Sequence, residues 1–522
     1  MQLTSFNFLL FAALVLTAYY CIPKRGQWML LLAASYFFYI AAGVEFIAFI
    51  LLTTITTYAA INLIGGRLAR QDAYLAEHKA DMSREERKDY KAKVKVLNRV
   101  IMIVCLVVNF GVLFFCKGAL IDPLRSALAE GRLSFLALGL PMGISFYMFQ
   151  SMGYVIDVYR GNAKAEKNFF RLALFVSFFP QLIQGPISKF SQLAPTLYAP
   201  HDFDAKEVSY GLQRMLWGYF KKMVIADRIA AAVVTLKGDE FTGTGLWLLA
   251  VFYAIQIYGD FTGGIDIVIG YSQALGIKLP ENFVRPFFAS NISEFWRRWH
   301  ISLGEWMKDY IFYPISVSQP MLKLSKYGRA KFGEMGKRLP VYVASIATWF
   351  CTGIWHGLTP NFVVWGMLNC FCIVLYEEVI AAYSGFCEKT GLKGKKLWHG
   401  VEIFAMFMLM NLIRVVDLFP NVGEYFRRMG SLVTTFNLSI LWDGTIMKLG
   451  LTGLDYCILF GGIVLMFAVS LFQEKRGSIR DALAAKAAPV RYAVIFALFL
   501  VVILMGSYGV GYNASNFIYN QF

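Results

Sequence analysis

Five histidines occur in this chain, at positions 78, 201, 300, 356 and 399. None has a second histidine three or four residues away, the spacing that sets two imidazoles on one helical face, so a helical metal site is not expected. His78 falls in a charged stretch, His201 in a polar loop and His399 just after a lysine-rich loop, all positions of ordinary surface or interface residues. His356 differs, because it sits in Trp349-Phe-Cys-Thr-Gly-Ile-Trp355-His356-Gly357, inside an apolar run entered near Val341. At 1.5 Å per residue that is about 22 Å along a helix. If the helix starts at the inner edge of a bilayer, His356 lies within the hydrocarbon, past its midplane. An ionisable group there needs a polar partner or a water-filled cavity. Gly353 and Gly357 leave room for another helix or a ligand. A buried neutral imidazole can take the proton of a hydroxyl, which is what acyl transfer requires. It can equally be structural, bonded to a backbone carbonyl, and position alone leaves both readings open.

His300 lies in the densest cluster of the chain, Asn291-Ile-Ser-Glu-Phe-Trp-Arg-Arg-Trp-His300-Ile-Ser-Leu-Gly-Glu-Trp-Met-Lys-Asp-Tyr310. Asn291 and Glu294 are spaced as a helix start. Ile292, Phe295, Trp296, Trp299, Leu303, Trp306, Met307 and Tyr310 keep a 3.6-residue period, which predicts one continuous amphipathic helix with His300 at its apolar–polar boundary. Aromatics beside Arg297 and Arg298 suit an interfacial or re-entrant helix. The two arginines could hold a phosphate-bearing donor, although Glu294 is spaced to pair with either. Tyr258-Gly-Asp260-Phe-Thr-Gly-Gly-Ile-Asp266 carries two carboxylates into another apolar run, and Gln181-Leu-Ile-Gln184-Gly185-Pro186 places amides at a turn. Such groups line cavities or bond other helices. Asp260 could orient an imidazole or meet a basic side chain.

The elements that must position these residues are membrane helices. Of 522 residues, 57% are hydrophobic and 16% charged, too little polar surface to cover soluble domains of this size. Apolar runs recur at about 6–22, 28–42, 44–64, 100–117, 133–156, 169–187, 208–235, 246–272, 339–358, 361–382, 399–418, 455–472 and 491–512. A helix needs about 20 residues to cross the hydrocarbon. Some runs are shorter or broken by Pro and Gly, so the expectation is an all-α polytopic membrane protein with about eleven spans plus re-entrant or interfacial helices. The net charge of +16 is read as the basic excess of cytoplasmic loops, not as a nucleic-acid surface. Stretches 65–99, 157–171, 323–338, 389–396 and 475–491 hold 29 Lys and Arg, against 6 in 118–132, 237–245 and 420–454. That asymmetry puts the first set in the cytoplasm and both termini outside. The insert 65–99 reads as a solvated helix pair. Eight cysteines, mostly in apolar runs and without a C-x-x-C, read as buried apolar residues. Phosphate-loop, nucleophile-elbow, zincin and dinucleotide motifs are missing.

Together these stretches resemble the membrane-bound O-acyltransferase family, in its bacterial branch acting on polysaccharides. The resemblance rests on Pro180-Gln-Leu-Ile-Gln-Gly-Pro-Ile187, Tyr258–Asp266, Asn282-Phe-Val-Arg-Pro-Phe287, Ser293-Glu-Phe-Trp-Arg-Arg-Trp-His-Ile-Ser-Leu303 and Trp355-His-Gly357. Phe6-Asn-Phe-Leu, Ala34-Ser-Tyr-Phe-Phe-Tyr39 and the terminal Asn516-Phe-Ile-Tyr-Asn-Gln-Phe522 extend it over the whole chain. It implies a single domain, 1–522, with a motif-bearing core at about 169–384 and further helices over 399–512, arranged as a ring of tilted helices around a catalytic funnel. His356 takes the place of the family's essential histidine and His300 that of its second polar residue. Trp299, Trp355, Asp260, Gln184, Arg297 and Arg298, in the same motifs, are the expected substrate contacts. No metal or bound cofactor is implied. The donor would be a cytoplasmic acyl thioester, either acetyl-CoA or the phosphopantetheine of an acyl carrier protein. The acceptor would be an extracytoplasmic polysaccharide, reached through a second secreted or membrane-anchored acyltransferase, at a bacterial plasma membrane. D-alanyl transfer to a cell-wall polymer, or a transporter without chemistry, are the alternatives.

Overall fold

The computed structural model describes residues 2–118 and 141–508. The expected outer loop 118–132 beyond its first residue, the start of the run at 133–156, the end of the run at 491–512 and the motif Asn516–Phe522 lie outside the described residues. Among those described, the chain is helical, and the one pairing of extended backbone is an isolated antiparallel bridge between Phe283 and Trp299. It divides into two units, one of Met1–Gly211 with Tyr271–Pro280, the other of Leu212–Gly270 with Glu281–Phe522.

The first unit is built from α1 (Phe6–Cys21), α2 (Gln27–Ile40), the long α3 (Ile47–Glu77) and α4 (Arg84–Lys117), and α5 (Ile144–Arg160). At 31 and 34 residues, α3 and α4 run roughly 46–51 Å, well beyond about 30 Å of hydrocarbon. Their adjoining ends are the charged insert 65–99. The pair expected there is thus the polar continuation of two apolar helices. Ser83 starts α4 with a reciprocal cap, its backbone N–H donating to Glu86 at 2.7 Å and its hydroxyl accepting from the Glu86 N–H at 3.2 Å.

The second unit carries α6 (Thr244–Ala274, all but its last turn), α7 (Ile292–Arg298), α8 (Ile301–Met307), α9 (Leu339–His356), α10 (Pro360–Lys389), α11 (Lys396–Arg414), α12 (Gly453–Arg476) and α13 (Ala488–Met505). Six helical stretches among the described residues are long and apolar enough to cross a membrane: Val44–Glu77, Arg84–Lys117, Thr244–Ala274, Pro360–Lys389, Gly453–Arg476 and Ala488–Met505. Two other apolar runs fold as shorter pieces. The run at 28–42 becomes the 14-residue α2, and that at 169–187 becomes helices of 9 and 6 residues split at Phe178.

The packing that matters most for the site is α9 against α10. A Cβ added to Gly353 would come within 2.5 Å of the Phe362 carbonyl oxygen, and one on Gly366 within 2.4 Å of the Trp349 carbonyl oxygen. The two backbones meet at these glycines, which is the small-residue contact that lets membrane helices approach closely. Gly353→Val is expected to push the helices apart, lowering stability by about 3 kcal/mol through overpacking, with activity lost in proportion. A thermal midpoint equal to wild type would show that α9 and α10 need no such contact.

Candidate active site

The single helix expected through 291–310 is two helices. The period is unbroken across Trp299 and His300, yet the backbone turns there: His300 has φ 46° and ψ 52°, a left-handed conformation rare for a residue with a Cβ. Long-range contacts hold it. The Val284 N–H donates to the Arg298 carbonyl at 2.9 Å and the Ile301 N–H to the Asn282 carbonyl at 3.0 Å, around the Phe283–Trp299 bridge. The Asn282 side-chain oxygen accepts from the Ser302 N–H at 3.0 Å and the Ser302 hydroxyl at 2.9 Å, and lies 3.3 Å from Nδ1 of His300. A left-handed residue costs roughly 1–2 kcal/mol, and here it re-aims an imidazole away from the helix surface. The start of α7 is as expected, with the Asn291 side chain accepting from the Glu294 N–H at 2.9 Å.

His356 is the last residue of α9 and is 2% exposed; His300 is 3% exposed. Trp355 stands between them, its ring centroid 6.0 Å from that of His300 and 4.8 Å from that of His356. Trp365 of α10 meets His356 edge-on at 4.8 Å. Both imidazoles line a cavity of about 860 Å³, together with Trp299, Arg297 and Arg414. Arg338, Glu377 and Glu378 line it as well.

Arg414 is a residue that sequence reasoning did not single out. It ends α11, is 8% exposed, and holds its guanidinium 5.5 Å from the Trp365 ring centre. Asp417 lies 3.5 Å from Arg414 and accepts a 3.0 Å hydrogen bond from the Tyr253 hydroxyl. No local pattern announces Arg414; only an arginine at the end of an apolar run hinted at it. Asn282, equally unremarked by its chemistry, stands in one of the motifs that carry the family resemblance.

Of the expected substrate contacts, Trp299 and Arg297 line the cavity and Trp355 packs between the two imidazoles. Arg298 instead pairs with Glu294 at 2.7 Å and Glu474 at 3.0 Å. Asp260 meets Lys222 at 2.5 Å and does not line the cavity. Gln184 belongs to the first unit, fully buried at the end of the helix Phe179–Gln184. The remaining histidines have local partners: His201 with the Tyr19 hydroxyl at 2.8 Å, His78 with the Tyr74 carbonyl at 3.0 Å, His399 with Glu402 at 3.4 Å.

Burial, and secondarily the positive charge of Arg414, hold the His300 pKa well below the ordinary imidazole value, at about 3. The ring is therefore neutral throughout the working range. Between about pH 3 and 6.5 the unfolded chain binds a proton at this residue that the folded one does not, so stability falls as pH drops below about 6.5. At pH 5 the loss attributable to His300 is about 2 kcal/mol. His300→Gln is expected to lose less stability than wild type between pH 7 and pH 5. Parallel falls in thermal midpoint would place the acid sensitivity elsewhere.

Comparison with known proteins bears on this arrangement. Residues 164–416, which include both imidazoles and Arg414, match the family model described as MBOAT, membrane-bound O-acyltransferase family. A probable alginate O-acetylase of Pseudomonas syringae pv. tomato is 32% identical over 380 residues, covering 71% of this chain and 65% of that protein. A peptidoglycan O-acetyltransferase of Helicobacter pylori is 33% identical over 49% of this chain and 50% of its own length. A teichoic acid D-alanyltransferase of Bacillus subtilis is 27% identical over 49% of this chain and 62% of its own. The aligned part of the chain thus spans from half to just under two thirds of these relatives' length.

Proposed function

We propose that the chain, which belongs through residues 164–416 to the membrane-bound O-acyltransferase family, is a multi-pass O-acetyltransferase. It would move an acetyl group from a thioester toward a hydroxyl of an extracytoplasmic polysaccharide. The observation that carries this reading is the convergence of His300, His356 and Arg414 on one cavity of the second unit.

In this mechanism His356 takes the proton of the accepting hydroxyl, whose oxygen attacks the thioester carbonyl. The tetrahedral intermediate collapses with cleavage of the C–S bond, and the leaving thiolate recovers the proton from the imidazolium as free thiol. His300, neutral and fixed by its backbone and Asn282, orients the donor or acceptor. Arg414 supplies a buried positive charge for the oxyanion. Trp299 and Arg297 contact the substrate along the same wall. We place the protein in a bacterial plasma membrane, with both termini outside, a cytoplasmic acetyl-CoA or acyl-carrier-protein thioester as donor, and a secreted or membrane-anchored acyltransferase completing the transfer.

A second reading, D-alanyl transfer to a cell-wall polymer, is favoured by the similarity to the Bacillus subtilis protein. The deciding experiment is thiol release by the purified protein from acetyl-CoA and from a D-alanyl carrier thioester, with candidate oligosaccharides present. Release from acetyl-CoA supports the first reading, and release only from the D-alanyl thioester supports the second. A well-folded protein that consumes neither, with and without the partner acyltransferase present, overturns both.

A further inference from the structure

Asn282 is not among the residues that line the cavity, yet its side chain is bonded to an imidazole that does. The oxygen and nitrogen of a side-chain amide are alike in shape, and their partners decide which is which. Here the backbone N–H of Ser302, which can only donate, meets the amide at 3.0 Å. The atom facing α8 is therefore the oxygen. The same oxygen lies 3.3 Å from Nδ1 of His300, and an amide oxygen only accepts. Nδ1 must then carry the proton of this bond.

Burial and the Arg414 charge keep the ring neutral, so it holds a single N–H, and Nε2 presents a lone pair. The packing of the ring gives that lone pair its direction. Phe261 meets the imidazole edge-on at 4.9 Å, and Phe283 lies nearly parallel to it at 6.5 Å. Asn282 occupies the Nδ1 side. The bond opposite Nδ1 is Nε2–Cδ2, and this is the side of the ring turned from Asn282 toward the cavity that His300 lines.

We infer that Asn282 is a positioning residue: it fixes His300 as the Nδ1–H tautomer, so that Nε2 accepts a hydrogen bond from an O–H or N–H of the bound substrate. The role of Nε2 rests on the acyl-transfer reading, whereas the tautomer does not. Such a hydrogen is supplied by a hydroxyl of the acceptor or by an amide N–H in the pantetheine arm of a thioester donor. The thioester carbonyl has no hydrogen to give, and a bare nitrogen repels its developing oxyanion. This tautomer therefore keeps His300 out of oxyanion stabilisation and leaves that task to Arg414.

The test is solid-state NMR of the full-length protein carrying isotope-labelled histidine, with the His300 signals identified by their loss in His300→Gln. Bonding to Cγ marks Nδ1, so the protonated nitrogen is read directly. Wild type is expected to hold the proton on Nδ1. Asn282→Leu should transfer it at least partly to Nε2, whereas Asn282→Asp, which keeps an accepting oxygen, should retain it on Nδ1. An Asn282 that only capped α8 would leave the tautomer unchanged in Asn282→Leu. That result, or a wild-type proton on Nε2, overturns the inference, and the wild-type spectrum decides even where a variant fails to fold. Thiol release then locates the substrate bond. Asn282→Leu is expected to raise KM by about fivefold, the worth of one hydrogen bond. The rise falls on the acceptor oligosaccharide where a hydroxyl is bound and on acetyl-CoA where the amide is. An altered tautomer with both KM values unchanged removes Nε2 from substrate binding and overturns its role. Wild type that holds the proton on Nδ1 but releases no thiol, with or without the partner acyltransferase, overturns the acyl-transfer reading and leaves the tautomer standing. Thiol release with the proton on Nε2 overturns this inference alone.

Discussion

His356→Gln is expected to lower thiol release by about 10²–10⁴-fold, the usual contribution of a general base, with little change in thermal midpoint. Glutamine keeps most of the volume packed between Trp355 and Trp365, so the variant separates chemistry from packing. His356→Ala should show the same catalytic loss with an added cost for the cavity it leaves. The loss should fall on kcat, because in the proposed mechanism the proton is taken only as the hydroxyl attacks. His300→Gln should instead raise KM more than it lowers kcat, since in the proposed mechanism that ring orients a substrate and is neutral before and after the step. Thiol release by folded His356→Gln at the wild-type rate would remove His356 from the reaction.

The helical class and the membrane character were legible because they rest on long apolar runs, and runs are local. The two histidines stood out for a related reason: an ionisable group in an apolar run has few inexpensive explanations. The turn at His300 was not legible. Its aromatic period continues without interruption from Ile292 to Tyr310, and the left-handed residue inside it is imposed by Asn282 and Phe283, which lie 18 and 17 positions earlier. Helical periodicity cannot report a bond made to another segment. Arg414 escaped for the same reason, being brought to Trp365 by the return of α11 against α10. The run at 208–235 also misled. It contains Lys221, Lys222, Asp227 and Arg228, and folds as Ala205–Tyr219, a wider turn over Phe220–Ala226, and Asp227–Leu236. Its lysines are buried because partners wait on α6. Hydropathy averages over such pairs and sees only an apolar segment.

Asp260 belongs to one of those pairs. Its carboxylate invited a role beside an imidazole, but the structure sets it 2.5 Å from Lys222, which also meets Asp227 at 2.7 Å. The Lys222 side chain is 1% exposed, and Asp260 is 2% exposed as a residue. Lys222→Met would leave two carboxylates facing each other without their shared cation. Breaking a buried pair in this way costs about 3–5 kcal/mol, so Lys222→Met is expected to be among the most destabilising single changes in the unit. Neutralising the carboxylates as well, in Lys222→Met with Asp227→Asn and Asp260→Asn, should restore most of that loss, because no unpaired charge remains to be desolvated. Activity should follow stability in both variants. Phe261, next to Asp260 on α6, packs edge-on against His300 at 4.9 Å, so loosening α6 at this level disturbs the site indirectly. Were Asp260 acting on an imidazole, Asp260→Asn would shift the pH profile of thiol release at unchanged thermal midpoint. A Lys222→Met protein that melts with wild type would show that the buried triad does not hold α6 in place.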